Sequence, residues 1–407
     1  MLPINIDETT SEHVTSLVTE KVTERKTLEY KERLPEGSDG AKKEFLADVR
    51  SFANASGGDI VYGIRDERDA DGKPTGIPES ITGVLDANMS AVCTRLEAMV
   101  RGGISPRIPS VQTKAVEIPG QGSVVLLRTG RSWIRPHMVT YGGTSRFYSR
   151  HSTGKYQLDV QEIGQAFAEQ KSLGEELNKW RADRVARLLS DEGPVRLDGP
   201  SKLLLHFVPA SALAGQQIAG SWPVAGDVKN LLKPSTPSDT IGRYNADGFL
   251  VYSPGGASGC YSYVQLFRNG CLEYGDGYIL NVGRVYGAGR ENDVPSIVFE
   301  EMLVETFGNA LRAITRIGVG DPVYFSCTLV GVQGLRLTQA QIALNYIGTQ
   351  HTFDRQIIQT PEAQIDRAES SPYRNSVLPV VNSIWQANGY ERTPFEGSPG
   401  VWNPLRH

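Results

Sequence analysis

Residues Ser51–Asp66 read SFANASGGDIVYGIRD: a helix ends at Gly57-Gly58 and runs straight into an apolar strand, Asp59–Ile64, that stops at Asp66. Glu24–Lys31, ERKTLEYK, supplies a second short strand, Thr27–Glu32, which carries Glu29 and Lys31. Side chains alternate faces along a strand, so these two point the same way. If the strands pair, Glu24, Glu29 and Asp66 gather around one divalent cation, Mg²⁺ or Mn²⁺, with Lys31 beside them. Such a group suits phosphodiester hydrolysis, which needs stabilised phosphate charge, an activated water and a neutralised leaving oxygen. Each residue also has a plainer use. Glu29 and Lys31 form a surface ion pair, Glu24 ends a helix, or Asp66 caps a turn beside Arg65 and Arg68.

The same residues carry a family resemblance. E-x4-E-(F/Y)-K, an amphipathic helix, then (A/S)FAN-x-x-GG-x-(I/L)-x-x-G-(I/V)-x-D resembles the Schlafen-type AlbA_2 domain. The match extends to Arg135-Pro136-His137, to Arg146–Arg150 (RFYSR) and to Val160–Ile163 (VQEI), covering about residues 15–170. The resemblance implies a nuclease acting on tRNA-like or other RNA, or a module that binds nucleic acid without cutting it. It also implies that Glu24, Glu29 and Asp66, with Lys31, are the catalytic and metal-binding residues. An antiviral defence role fits only through the family.

The chain has 407 residues, room for two or three domains. Its 22% charged and 39% apolar residues are those of an ordinary soluble protein. No apolar run approaches the ~18 residues of a membrane helix. The N-terminus lacks a basic-then-apolar leader, so a cytoplasmic location without a membrane is expected. Cys93, Cys260, Cys271 and Cys327 lack C-x-x-C spacing and are expected to be reduced core thiols. No G-x4-G-K-(S/T) phosphate loop is present, so nothing supports an ATPase.

A net charge of -4 hides an asymmetry. Residues 1–100 hold 19 acidic and 12 basic side chains, whereas 101–150 hold eight basic and one acidic. A local basic face suits phosphate contact at a defined site; alternatively, its arginines only balance the acidic half. The candidate RNA or single-stranded DNA contacts are Arg128, Arg131, Arg135, His137, Arg146, Arg150 and Lys155. Phe147, Tyr148 and Tyr156 interleave with the last three and offer stacking surfaces. Asn54 is read as satisfying the last helical carbonyls.

The expected class is α+β: a layered AlbA_2-like domain over 1–170, a connecting helix and linker over 171–200, and a second α+β domain of antiparallel strands over 201–407. Within the first, helices are expected at Ala41–Ala55, Asp86–Arg101 and Asp159–Glu169, with a hairpin over Ser110–Ile118 and Ser123–Thr129. Arg65–Pro78 reads as a loop, and a strand interrupted at Gly142-Gly143 continues to Arg150. A separate helix, Glu175–Leu189, places Arg181, Arg184 and Arg187 on a solvated edge. Asp191–Pro200 is a linker rich in turn formers. Strands are expected at Leu203–Val208, Gly248–Tyr252, Tyr261–Phe267, Cys271–Tyr274 and Pro322–Leu329, a helix at Val294–Ile317, and a surface wrap over 350–407. A single AlbA_2 copy suggests a homodimer through the 294–317 helix, unless that apolar stripe covers its own sheet.

Overall fold

A computed structural model describes every residue except 1, 4–5, 87, 110, 133, 142–145, 152–153, 214–225, 237–238, 257–258, 286–289, 320–321, 339–350, 366–376 and 397–407. The Gly142-Gly143 interruption lies outside the described residues. The chain is α+β and divides into two compact units, the first ending at Ser172 and the second starting at Leu173. Among the described residues no helix is long and apolar enough to cross a membrane.

The first unit is built on a sheet ordered Leu28–Lys31, Gly58–Tyr62, Gly122–Thr129, Val111–Ile118. The first two strands are parallel, with Glu29 opposite Ile60 and Lys31 opposite Tyr62; the rest pair antiparallel. Parallel neighbours need a crossover, and the helix Asp39–Asn54 supplies it. Ser38 starts that helix by accepting the Ala41 N–H at 3.2 Å. Its stripe of Phe45, Val49 and Phe52 packs on Ile60, Tyr62 and Leu127, joined by Val92 and Leu96 of the helix Met89–Gly103. The opposite face of the sheet buries Leu28, Tyr30 and Val61 under Val14 and Leu17 of the helix Ser11–Thr19. Alternation therefore turns Glu29 and Lys31 toward the Asp39–Asn54 side.

The two glycines of the motif do more than stop a helix. Gly57 has φ +74° and donates to the Phe52 carbonyl at 2.9 Å. A Cβ there would sit 2.6 Å from the Arg131 amide nitrogen, and one on Gly58 would sit 2.5 Å from the Phe52 ring. Gly57→Ala should therefore destabilise the domain by about 1–3 kcal/mol, read from the urea midpoint. An unchanged midpoint would mean the local backbone relaxes without cost.

Five expectations need correction. The strand after Gly58 stops at Tyr62; Gly63, at φ +94°, turns the chain. Ile64–Arg68 then pairs with Pro74–Ile81 as a two-stranded ribbon where a loop was expected. Its charged side chains left no alternation to read. The closing and connecting helices are one, Val160–Leu189, because Gly164 and Gly174 do not break it. The supposed linker is packed: Leu197 is buried, and Asp198 N–H bonds the Cys260 carbonyl at 2.9 Å. Residues after 350 are not only a wrap, since the helix Leu378–Ala387 drives Trp385 into the core.

The second unit is an antiparallel sheet running Ile241–Tyr244, Gly248–Pro254, Cys260–Phe267, Leu272–Asp276, Lys202–Pro209, Val323–Val330, Ile357–Gln359. Ala363–Ile365 also pairs with Val323–Val330. The helix Ser296–Ile317 lays Phe299, Leu303, Phe307 and Ile314 in one core with Leu205, Phe207 and Phe325. Its apolar stripe covers its own sheet. On the other face Leu204 packs with Val185 and Leu188 of the long helix. Arg181 and Arg184 are buried there instead of solvated. Arg184 grips Glu273 at 2.7 and 2.9 Å, and Arg181 bonds the Thr360 and Cys327 carbonyls at 2.8 Å each. Arg187 alone of the three is exposed.

Candidate functional site

The charged residues of the first strand meet helix and hairpin residues in one cluster. Lys31 Nζ lies 2.6 Å from Glu29 Oε1 and 3.5 Å from Asp48 Oδ2. Arg150, on the strand Arg146–His151, donates to Glu29 Oε2 at 2.5 Å and lies over the Phe52 ring at 4.2 Å. Lys155, on Gly154–Gln157, bonds Asp48 Oδ1 at 2.8 Å and also pairs with Glu44. Asp48 belongs to none of the expected sites. Its signal was a carboxylate next to Val49 and one turn from Phe45 and Phe52, on the apolar stripe of the helix.

Burial pushes Glu29 up, but Lys31 and Arg150 together outweigh it and hold Glu29 below the usual carboxylate range. Burial also raises Asp48; the Glu29 charge adds to it, and Lys31 and Lys155 only partly compensate. Lys31 is raised because Asp48 and Glu29 outweigh its own burial. The lysine is thus firmly an ammonium in a carboxylate cage.

Glu24 and Asp66 both lie close enough to this cage to feel the charges of Glu29 and Lys31. Glu24 Oε1 accepts the Tyr30 N–H at 2.7 Å, and burial, assisted by Glu29, raises its carboxyl. Burial and then the Glu24 charge push Asp66 up to about 7. Asp66 Oδ1 is buried without a hydrogen-bond partner. Two carboxylates that repel each other, one with an orphaned oxygen, fit a divalent cation, which would relieve both penalties. Mg²⁺ commonly takes one or two carboxylates and keeps its remaining waters. Glu29 fits less well, as both its oxygens are held. Among the described residues no three His, Cys, Asp or Glu side chains form a ready-made metal group. Glu24 and Asp66 are the pair suited to a cation.

Most of the expected nucleic-acid contacts have structural partners. Arg128 forks onto Asp59 at 2.7 and 3.0 Å across paired strands. Arg135 donates to the last helical carbonyl, Asn54 O, at 2.9 Å and to Glu169 at 2.5 Å. Arg131 is lowered by partial burial and by Arg135. His137 has no surface to offer: it is fully buried, donates from Nδ1 to the Pro106 carbonyl at 2.8 Å, and is pushed down to about 4 by burial. A neutral ring leaves Nδ1–H as the donor. Arg150 is buried, and Lys155 is half-buried. For Arg128, Arg135, Arg150 and Lys155, balancing the acidic half is the better description. Arg146 is exposed.

Asn54 does not cap its own helix. Its amide donates to the His137 and Tyr148 carbonyls at 3.1 and 2.7 Å and accepts the His137 N–H at 2.8 Å. It staples the helix end to the strand that carries Arg150. The FAN-x-x-GG string is thus the joint that places Arg150 over Glu29.

Residues 24–159 match the family model described as Schlafen, AlbA_2, so this stretch is a Schlafen-type AlbA_2 domain. No curated protein matches the chain. Solved structures with weak likeness include the DIP2311 protein from Corynebacterium diphtheriae, at 17% identity and TM-score 0.25 over 37% of this chain and 30% of that one. Another is the N-terminal domain of a RecG-related protein from Nitrosomonas europaea, at 12% identity and TM-score 0.27 over 37% of this chain and 94% of that one. The chain thus spans under a third of the length of the DIP2311 protein.

Proposed function

We propose that the AlbA_2 domain binds nucleic acid and hydrolyses a phosphodiester bond with a divalent cation held by Glu24 and Asp66. The observation that carries this is Asp66: raised to about 7 beside Glu24, with one buried oxygen unpartnered. The cation would supply Lewis acidity at the phosphate and a more acidic bound water. Lys31, fixed as an ammonium by Glu29 and Asp48, would hold a phosphate oxygen or orient the water. Glu29 is a positioning residue here, its two oxygens aiming Lys31 and Arg150. RNA, tRNA-like or single-stranded, is the preferred substrate class through the family alone, and an antiviral defence role has the same basis.

A second reading, docking without cleavage, is favoured by one observation: Glu29 is fully ion-paired. End-labelled tRNA and single-stranded DNA, incubated with the full chain in Mn²⁺ or in EDTA, separate the two. Cleavage that needs Mn²⁺ is expected. Retarded but intact nucleic acid in both buffers would leave docking alone.

Surface contacts follow the same logic. Arg146→Glu should weaken nucleic-acid binding without loss of fold and flatten the salt dependence by about one unit of slope. Arg150→Glu should instead disrupt the fold by placing two carboxylates together. Fluorescence anisotropy across salt concentrations, with circular dichroism alongside, reads both; an unchanged slope for Arg146→Glu would remove it from the interface.

A further inference from the structure

The second unit contains a cavity of about 670 Å³ between the helix Ser296–Ile317, the short helix Gly226–Leu231 with the segment after it, and the strand Gly248–Pro254. That is within the usual size of a small-molecule site. Met302, Thr306 and Asn309 line it from one face of the long helix, and Val251 adds to the wall. Thr306 is 3% and Asn309 6% exposed. Asn309 Oδ1 accepts from the Arg312 guanidinium at 2.6 Å. The Asn309 and Thr306 side chains both line the cavity, and so offer an amide group and a hydroxyl to whatever occupies it. Polar groups so placed cost free energy unless something pairs with them.

The wall beside them is rigid. Ser235 and Thr236 both donate their hydroxyls to buried Asp276, at 2.5 and 3.2 Å, and Thr236 N–H bonds Ser262 Oγ at 3.0 Å. Lys229 and Lys233 also line the cavity, from the short helix and the segment after it. Lys229 is held over the Phe249 and Tyr244 rings at 5.1 and 5.3 Å. Glu301 and Glu305, one turn apart, line it from the long helix.

Two ammonium groups take an anion, two carboxylates take hydroxyl donors, and Thr306 and Asn309 take hydroxyl or carbonyl oxygens. Among the described residues the lining carries no aromatic ring. We propose that this cavity binds a hydroxyl-rich phosphate monoester, its phosphate on Lys229 and Lys233 and its hydroxyls on Glu301, Glu305 and Asn309. The phosphate ester of a sugar and that of a nucleoside share this chemistry. This site is separate from the AlbA_2 residues and goes beyond the nuclease proposal.

Calorimetric titration of the full chain, without metal or nucleic acid, tests it independently of that proposal. The probes are ribose 5-phosphate, adenosine monophosphate and, as control, inorganic phosphate. One ester should bind at one per chain, at least about tenfold tighter than inorganic phosphate. Ribose 5-phosphate alone would assign a sugar phosphate, and adenosine monophosphate a nucleotide. Lys233→Glu, on an exposed residue, and Thr306→Val should each weaken binding by about tenfold or more, with melting temperatures confirming the fold. The proposal is overturned if neither ester binds at millimolar concentration, if inorganic phosphate binds equally well, or if both variants bind like the original chain.

Discussion

Glu273→Ala will cost the second unit about 3–5 kcal/mol, because it strands a buried guanidinium. Glu273 is 1% exposed and accepts from Arg184 twice, from Tyr263 at 2.8 Å and from His206 at 3.1 Å. With Glu273 gone, Arg184 keeps its place over the Phe267 ring but has lost its carboxylate. At 2–4 °C per kcal/mol, the melting temperature of this unit falls by roughly 10 °C. The pH dependence has a definite sign. Burial raises Glu273, but its bonds from Arg184 and His206 win and hold it at about 2. The stabilisation is therefore complete above the unfolded value near ~4 and is lost as pH falls from ~4 toward ~2. Thermal melts of both proteins at pH 7, and of wild type across this acid range, check both points. A variant within ~1 kcal/mol of wild type would contradict the account, since that is an exposed pair's worth.

Glu24→Gln and Asp66→Asn should each reduce cleavage by more than ~100-fold, as even outer-shell partners of a metal cost 10–100-fold. Neither should harm the fold. Asp66 is raised in the folded state, so its contribution is full below the unfolded value near ~4 and lost as pH rises through about 7. Asp66→Asn removes that titration, and the metal-free variant should melt at or above wild type at pH 8. Equal cleavage by Asp66→Asn would remove this residue from the chemistry; a large drop in its melting temperature would mean that the ionised carboxylate supports the fold.

Much of the AlbA_2 domain was legible because its joints are local. Helix, glycine turn and strand follow one another within Ser51–Tyr62, and alternation alone puts Glu29 and Lys31 on one face. What the sequence hid is who meets whom at long range. Arg150 looked like a phosphate contact because RFYSR alternates charge and aromatic, yet the side chain turns inward to Glu29, 121 residues away. The partners of Asp48, Lys31 and Lys155, were hidden because a helix position says nothing of the strand and hairpin beneath it. In the second unit, Arg181 and Arg184 share a helix edge with solvated Arg187, and spacing cannot tell the buried end of an edge from the wet one. The available signal lay in the strands they pack on: Glu273 within CLEYG, the partner of Arg184, and His206 within LLLHFV, which also bonds Glu273, are single polar residues inside apolar strands. Lone charges there ask for a counter-charge from another element.

The most direct measurement is a calorimetric titration of Mn²⁺ into the metal-free protein near pH 7. The wild type should take up one ion per chain and release protons, because Asp66 is about half protonated there and must ionise to bind. Asp66→Asn and Glu24→Gln should lose that uptake while keeping their fold. Variants that bind Mn²⁺ as tightly as wild type, or a wild type that takes up no ion at millimolar concentration, would contradict a cation site at Glu24 and Asp66.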